Sequence, residues 1–167
     1  MIKLINDSDV MVSEQAQHSC YKETTAGLLK IVWCEQGILE SSFVDAEAIP
    51  PNEDYCQFKQ FILTNGGQLP LIVSGTDFQK AVWQRIAVSK VGEVLTYKQL
   101  AEEVGKPAAV RAVGSALGKN RHAYLIPCHR AVRSDGGLGG FRWGVERKSH
   151  LLTLEAGGLD LVKQILA

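Results

Sequence analysis

The sequence contains no apolar run approaching 18 residues, which excludes a membrane-spanning helix. Its first residues, Met1-Ile2-Lys3-Leu4-Ile5-Asn6-Asp7, lack a basic cluster followed by a long apolar stretch. No secretory leader is therefore expected, and the chain reads as cytoplasmic. Cysteine is scarce: Cys20, Cys34, Cys56 and Cys128 are too few for a disulfide scaffold, and none forms a Cys-x-x-Cys pair. His18 and Cys20 have no second pair of ligands, so no metal is expected. Cys34 and Cys56 lie in apolar segments and read as buried fillers, as a reducing compartment would allow. Internal repeats and low-complexity tracts are absent. Net charge is absent too, since 18 Lys+Arg balance 18 Asp+Glu, and over the whole chain that argues against a polyanionic partner.

The balance is a sum of opposites. Residues 1–75 hold four lysines, no arginine and ten acids, net −6, whereas residues 76–167 hold seven lysines, all seven arginines and eight acids, net +6. A chain of 167 residues has room for two small domains with cores of their own. The asymmetry predicts domains at 1–74 and 75–167, the second facing an anion. Segregation onto two solvated faces is the alternative.

The first half reads as a small α/β unit. Two β-rich runs, Gly27–Cys34 and Ile38–Val44, flank Glu35-Gln36-Gly37 as a hairpin, with an earlier strand around Cys20–Thr24. Asp54 opens a helix whose apolar residues at 55, 58, 61 and 62 share a face, and Asn65-Gly66-Gly67 ends it. Leu71–Gly75 reads as an apolar lead into a linker. The second half reads as mainly helical. Thr76-Asp77-Phe78-Gln79 and Thr96-Tyr97-Lys98-Gln99 have the form of capping boxes, each opening a helix. The second of these ends near Val104 with Gly105 beyond it, and Pro107 suits the first turn of another helix running to about Leu117. Two short helices joined by a Gly-containing turn make a helix-turn-helix candidate. The second is rich in Ala, Gly and Ser with a single Arg111. Two readings stand for it, close approach to another surface and tight packing against a neighbouring helix.

Chemistry concentrates between Lys106 and Lys148, where nine basic residues face two acids, net +7. Within that stretch lie Pro127-Cys128-His129-Arg130 and a Gly-rich loop, Ser134–Gly144. A cationic setting favours the nucleophilic thiolate, and an imidazole can accept the thiol proton. Adjacency in sequence does not establish contact, however, and an isolated pair of this kind is more often structural than catalytic.

Ile126-Pro127-Cys128-His129-Arg130-Ala131-Val132 resembles the signature of the O6-alkylguanine-DNA alkyltransferases. Gly75–Trp83, Thr96-Tyr97, Arg111-Ala112-Val113-Gly114, Asn120, Gly140–Gly144 and Glu146-Arg147-Lys148 through Glu155 follow in that family's order and spacing. The resemblance implies a ribonuclease H-like α/β first domain and a mainly helical second domain with a winged-helix-like helix-turn-helix. It also implies irreversible, stoichiometric transfer of an alkyl group from O6-alkylguanine in double-stranded DNA to Cys128, without a cofactor, with O4-alkylthymine a second candidate substrate. By the same resemblance His129 relays the thiol proton, Glu155 orients His129, Asn120 ties the turn before Cys128, and Tyr97 donates a proton to the leaving guanine. Arg111 fills the space of a flipped nucleotide. Thr96, Ala112, Gly114, Ser115 and Arg130 are expected at the DNA, and Ala131, Phe141, Arg142 and Trp143 around the base. The protein is expected to be a monomer, with cooperative binding along DNA left open. Phe141 stands where many relatives have Tyr, and Ala131 where Val is commoner.

Overall fold

The structure is a computed structural model and describes residues 2–10, 17–45 and 55–167. Asp54, the expected helix opener, lies outside the described residues. No described helix is long and apolar enough to cross a membrane. The chain divides into two compact units, residues 1–74 with 161–167, and residues 75–160. The division falls after Ser74, and residues 161–167 group with the first unit.

The first unit is built on a sheet that, among the described residues, has five strands. They are β1 (Ile2–Asn6), β2 (His18–Thr24), β3 (Gly27–Cys34), β4 (Gly37–Val44) and β5 (Leu69–Val73), in the order β1-β5-β4-β3-β2. β2, β3 and β4 form an antiparallel meander, and β3–β4 is the hairpin expected from the sequence. Gly37 opens β4 where a Cβ would lie 2.9 Å from the Pro70 carbonyl oxygen, so the close approach of β5 requires a glycine there. β5 takes up the first part of the run Leu71–Gly75 that was expected to lead into a linker. It pairs in parallel with β1 and β4 and is buried at every residue. A strand covered on both faces carries a continuous apolar run rather than an alternation, which by itself resembles an apolar linker. β1 is short, and its partner lies more than sixty residues away, so no local turn announces it.

Helix α1 (Tyr55–Thr64) buries Phe58 and Ile62, and Gly66 and Gly67, both at positive φ, end it. Cys56 is exposed, not a filler, because it sits one residue, about 100° of helical rotation, from Tyr55 on the inward stripe. The terminal helix α6 (Leu161–Leu166) is tied into this unit by the Tyr55 hydroxyl, which donates to the Ile165 carbonyl at 2.8 Å. The Thr25 amide also donates to the Gln164 side chain at 3.0 Å.

The second unit contains α2 (Asp77–Ala87), α3 (Tyr97–Glu103), α4 (Val110–Gly118) and α5 (Val145–Ala156), with a short parallel pair, β6 (Leu95–Thr96) and β7 (Ala131–Val132). Both expected capping boxes form: the Thr76 and Thr96 hydroxyls accept from the Gln79 and Gln99 amides, and each glutamine side chain reaches back to the cap amide. Gly105 at φ +76° closes α3, as the Lys106 amide donates to the Ala101 carbonyl at 2.9 Å. α4 starts three residues later than Pro107 suggests. The Ala109 amide closes a separate turn onto the Lys106 carbonyl at 2.8 Å, leaving Pro107 and Ala108 outside the helix.

The small residues of α4 divide between both readings of that helix. Ala116 packs inside with Val113 and Leu117, while Arg111, Ala112, Ser115 and Gly118 lie on the exposed face. The inward face is pinned by the buried Trp83 indole N–H, which donates to the Ala116 carbonyl at 2.8 Å. Trp83→Phe leaves that carbonyl with only the Lys119 amide, at 3.2 Å, and is expected to lower stability by about 1 kcal/mol in urea unfolding. An unchanged midpoint would show that α4 does not depend on this bond.

Candidate functional site

Between α4 and β7 the chain runs through residues 120–130, of which all but Arg121 are buried. A buried loop must satisfy its own backbone polar groups, and here one side chain does much of it. Asn120 Oδ1 accepts from the His122 amide at 2.8 Å. Its Nδ2 donates to the Ile126 carbonyl at 2.9 Å and lies 3.3 Å from Cys128 Sγ. Arg142 Nη1 in turn donates to the Asn120 carbonyl at 3.0 Å. The loop ends in a short 3-10 turn, Cys128–Arg130, that delivers Cys128, His129 and Arg130 in three directions.

His129 is fully buried, with Nε2 3.0 Å from Glu155 Oε1 on α5. By strict hydrogen-bond geometry neither ring nitrogen has a partner among the described residues, so Nε2 and Glu155 meet as a close imidazole–carboxylate contact. Glu155 is also gripped from the side by Arg130, whose Nε donates to Oε2 at 2.9 Å and Nη2 to Oε1 at 2.7 Å. Arg130 Nη1 is held in turn by the Ser89 carbonyl at 2.7 Å. Arg130 was expected at a DNA surface, but it is 5% exposed and its donors are committed to Glu155 and Ser89. Lys148, counted on sequence among the basic cluster, is likewise fully buried. Its Nζ donates to the Ala131 carbonyl at 2.5 Å and the Gly140 carbonyl at 3.1 Å, and lies 3.3 Å from the Tyr97 hydroxyl. Both residues were missed as site-builders. For Lys148 the signal was the spacing Lys148, Leu151, Glu155 on α5, an i, i+3, i+7 stripe that faces inward.

Cys128 lines a cleft of about 640 Å³ together with Tyr97, Arg111, Phe141 and Arg142. Gly114 and Ser115 of α4 line it too, whereas Ala112 is exposed elsewhere on that helix and Thr96 is occupied in capping α3. Ala131 is buried behind the cleft. Trp143 packs edge-on against Phe141 at 5.4 Å with the Arg142 guanidinium 5.6 Å from its ring. Gly139 at φ +73° presses against Tyr97 so closely that a Cβ would collide with the phenol oxygen. The cleft thus holds a nucleophile and a phenol together, flanked by guanidiniums, with an imidazole–carboxylate pair buried behind the nucleophile.

The electrostatics revise the thiolate expectation. Burial pushes the Cys128 thiol up to about 11. The Asn120 hydrogen bond and the charges of Lys148 and Arg142 oppose that rise without reversing it. At neutral pH the group is a thiol that needs a base. Burial lowers the His129 pKa despite the neighbouring Glu155, so the imidazole is neutral and able to accept a proton. Burial works against ionised Glu155 as well, but hydrogen bonds from His129 and Arg130 outweigh it and bring its pKa to about 2. Burial raises the Tyr97 pKa and lowers that of Lys148 to about 8.

Residues 77–157 match the family model described as 6-O-methylguanine DNA methyltransferase, DNA binding domain. The chain is 57% identical over 88 residues to the regulatory protein ada of Salmonella typhimurium, covering 53% of this chain and 25% of that protein. It is 37% identical over 142 residues to a probable methylated-DNA–protein-cysteine methyltransferase of Acanthamoeba polyphaga mimivirus, covering 80% of this chain and 93% of the relative. Among solved structures it resembles the OGT protein of Mycobacterium tuberculosis crystallised in complex with DNA. That match has a TM-score of 0.68 at 26% identity, over 90% of this chain and 99% of the other. The chain spans only a quarter of the Salmonella relative and less than half of several others.

The ion pair of Glu155 with Arg130 and its contact with His129 carry a pH signature. Its pKa is depressed from 4.5 to about 2, so its stabilisation is fully present above pH 4.5 and is lost as pH falls through 2. That loss is expected to be about 3 kcal/mol and to vanish from the pH profile of Glu155→Gln. Arg130→Met leaves the carboxylate with one partner fewer and is expected to cost about 3–5 kcal/mol at neutral pH in urea unfolding. Identical acid profiles for the wild type and Glu155→Gln would contradict this assignment.

Proposed function

The chain belongs to the 6-O-methylguanine DNA methyltransferase family, and on that footing we propose that it repairs DNA by direct reversal, taking the alkyl group of O6-alkylguanine onto its own Cys128. The observation that carries this reading is a buried, neutral thiol lining an open cleft, followed in the chain by an imidazole backed by an ionised carboxylate. The Cys128 proton passes through a water to His129 Nδ1, and Glu155 and Arg130 hold the resulting imidazolium in place. The sulfur lone pair forms the S–C bond to the alkyl carbon in line with the breaking C–O6 bond, whose electrons leave on guanine. Tyr97 supplies the proton that neutralises the departing guanine, and Lys148, at hydrogen-bonding distance, resupplies the phenol. The S–C bond has no route to hydrolysis within these steps, so each chain acts once. O4-alkylthymine presents the same reacting bond and is a second candidate substrate.

A base stacked in a duplex cannot reach this sulfur, so the nucleotide must leave the stack at a cost of a few kcal/mol. Exposed Arg111 and the small residues of α4 suit a helix lying close in a minor groove, where Arg111 occupies the vacated space. Binding of this kind reads little sequence, because the minor groove presents a degenerate pattern. Arg133, Arg142 and the exposed members of the basic cluster provide phosphate contacts. Arg130, buried on Glu155, orients the carboxylate and does not join them. The first unit reads as a ribonuclease H-like scaffold and α3–α4 as part of a winged-helix-like module. The free thiols suit a monomer working in the reducing cytoplasm.

Incubation with duplex DNA carrying one O6-methylguanine is expected to add one methylene to the intact mass, mapped to the Cys128 peptide and absent in Cys128→Ala. Tight lesion binding with unchanged mass would make the protein a non-catalytic lesion binder. Arg111→Ala is expected to slow repair in duplex DNA at least about tenfold while sparing reaction with free O6-benzylguanine. Equal losses on both substrates would remove Arg111 from nucleotide flipping.

A further inference from the structure

One side chain outside the roles assigned above meets the relay imidazole face to face. Tyr124 is 2% exposed, and its ring stacks on His129 with centroids 5.2 Å apart and planes 12° from parallel. Its backbone stands at φ +64°, a left-handed conformation that an aromatic residue adopts only where the surroundings impose it. The surroundings here do so. The Leu125 amide donates to the Ala123 carbonyl at 2.8 Å, and the Ile126 amide to the His122 carbonyl at 3.0 Å. Asn120 clamps the same loop at His122 and Ile126.

We propose that Tyr124 is a positioning residue for the transfer: its ring fixes the plane of the His129 imidazole and favours the imidazolium formed when the thiol proton arrives. The proposal rests on the alkyl-transfer reading and extends it to a residue given no part in the steps above. His129 is contacted by Glu155, which holds Nε2 at 3.0 Å, and by the edge of Phe141 at 6.4 Å. Arg130 and Lys148 are the cations whose charges oppose its protonation. Glu155 meets only one edge of the ring, and rotation about that contact would turn Nδ1 out of the plane it occupies. The parallel Tyr124 ring blocks that rotation. A positive charge within about 6 Å of an aromatic ring centroid is also attracted to the ring, more strongly when both are desolvated. The stack therefore supports the protonated state in a site where burial disfavours it.

The test compares full-length wild type, Tyr124→Phe, Tyr124→Leu and Tyr124→Gly. Two quantities are followed from about pH 5 to 8, the rate of benzyl transfer from free O6-benzylguanine and the ring-nitrogen NMR shifts of His129. Tyr124→Phe keeps the stack and is expected to stay within about twofold of wild type in rate, with the same titration. Tyr124→Leu and Tyr124→Gly are expected to lose about tenfold in rate, with His129 titrating about one pH unit lower. Glycine takes φ +64° without strain, so Tyr124→Gly separates loss of the ring from damage to the loop if Tyr124→Leu folds poorly. Folded Leu or Gly variants with wild-type rate and titration would overturn the proposal. A Phe variant as slow as Leu would overturn it too, by assigning the effect to the hydroxyl. The NMR measurement needs no transfer, so an inert wild type would count against the alkyl-transfer reading while the titration still decided the stack.

Discussion

A single buried carboxylate organises the second unit. Glu155 receives two hydrogen bonds from Arg130 and faces His129 at 3.0 Å, and Arg130 continues to the Ser89 carbonyl beyond the end of α2. Three segments far apart in sequence, after α2, at the Cys128–Arg130 turn and on α5, are joined through that group. Charges buried this deeply are costly unless each finds its partners, and here the carboxylate and guanidinium do. The same contacts that hold the turn in place keep Glu155 ionised and His129 oriented. The scaffold and the acid–base chemistry of the cleft therefore depend on one interaction, and neither can be altered without the other.

What the sequence made legible was chemistry closed within a few residues. The β3–β4 hairpin, both capping boxes and the Gly105 stop are settled by turn and cap residues adjacent to the elements they bound. β1 and β5 were not legible, because their identity comes from pairing with each other across most of the first unit. The start of α4 was misjudged because Pro107 satisfies a helix start and a preceding turn equally well, and the Ala109–Lys106 hydrogen bond selects the turn. In the site, residue types were readable but their directions were not. Arg111, Arg130 and Lys148 contribute identically to a count of charge, yet one projects into the cleft and two are buried beneath it. The inward stripe of α5 carried that information for Lys148. For Tyr124, whose role depends on a left-handed backbone and a stacked neighbour, no sequence signal existed.

The opposite charges of the two halves take on a more specific meaning once side chains are placed. The excess of cations in the second unit is not one surface. Arg111, Arg133 and Arg142 line the cleft, while Arg130 is bonded to Glu155 and Lys148 to the Ala131 carbonyl in the interior. The buried cations do not make Cys128 a standing thiolate, because desolvation outweighs them. A resting thiol is protected from adventitious electrophiles in a way a thiolate is not, and it becomes nucleophilic only when a proton acceptor and a substrate are present together. If the group is spent in one event, as proposed above, that reserve has an evident advantage.

The central claim is that Cys128 rests as a neutral thiol and yields its proton only in the transfer. It is tested most directly by thiolate ultraviolet absorbance, followed as a pH-difference titration of wild type against Cys128→Ser. The account predicts no Cys128 thiolate at neutral pH and a midpoint near 11. A midpoint at or below the ordinary cysteine value of about 8.5 would mean a preformed thiolate and would contradict it.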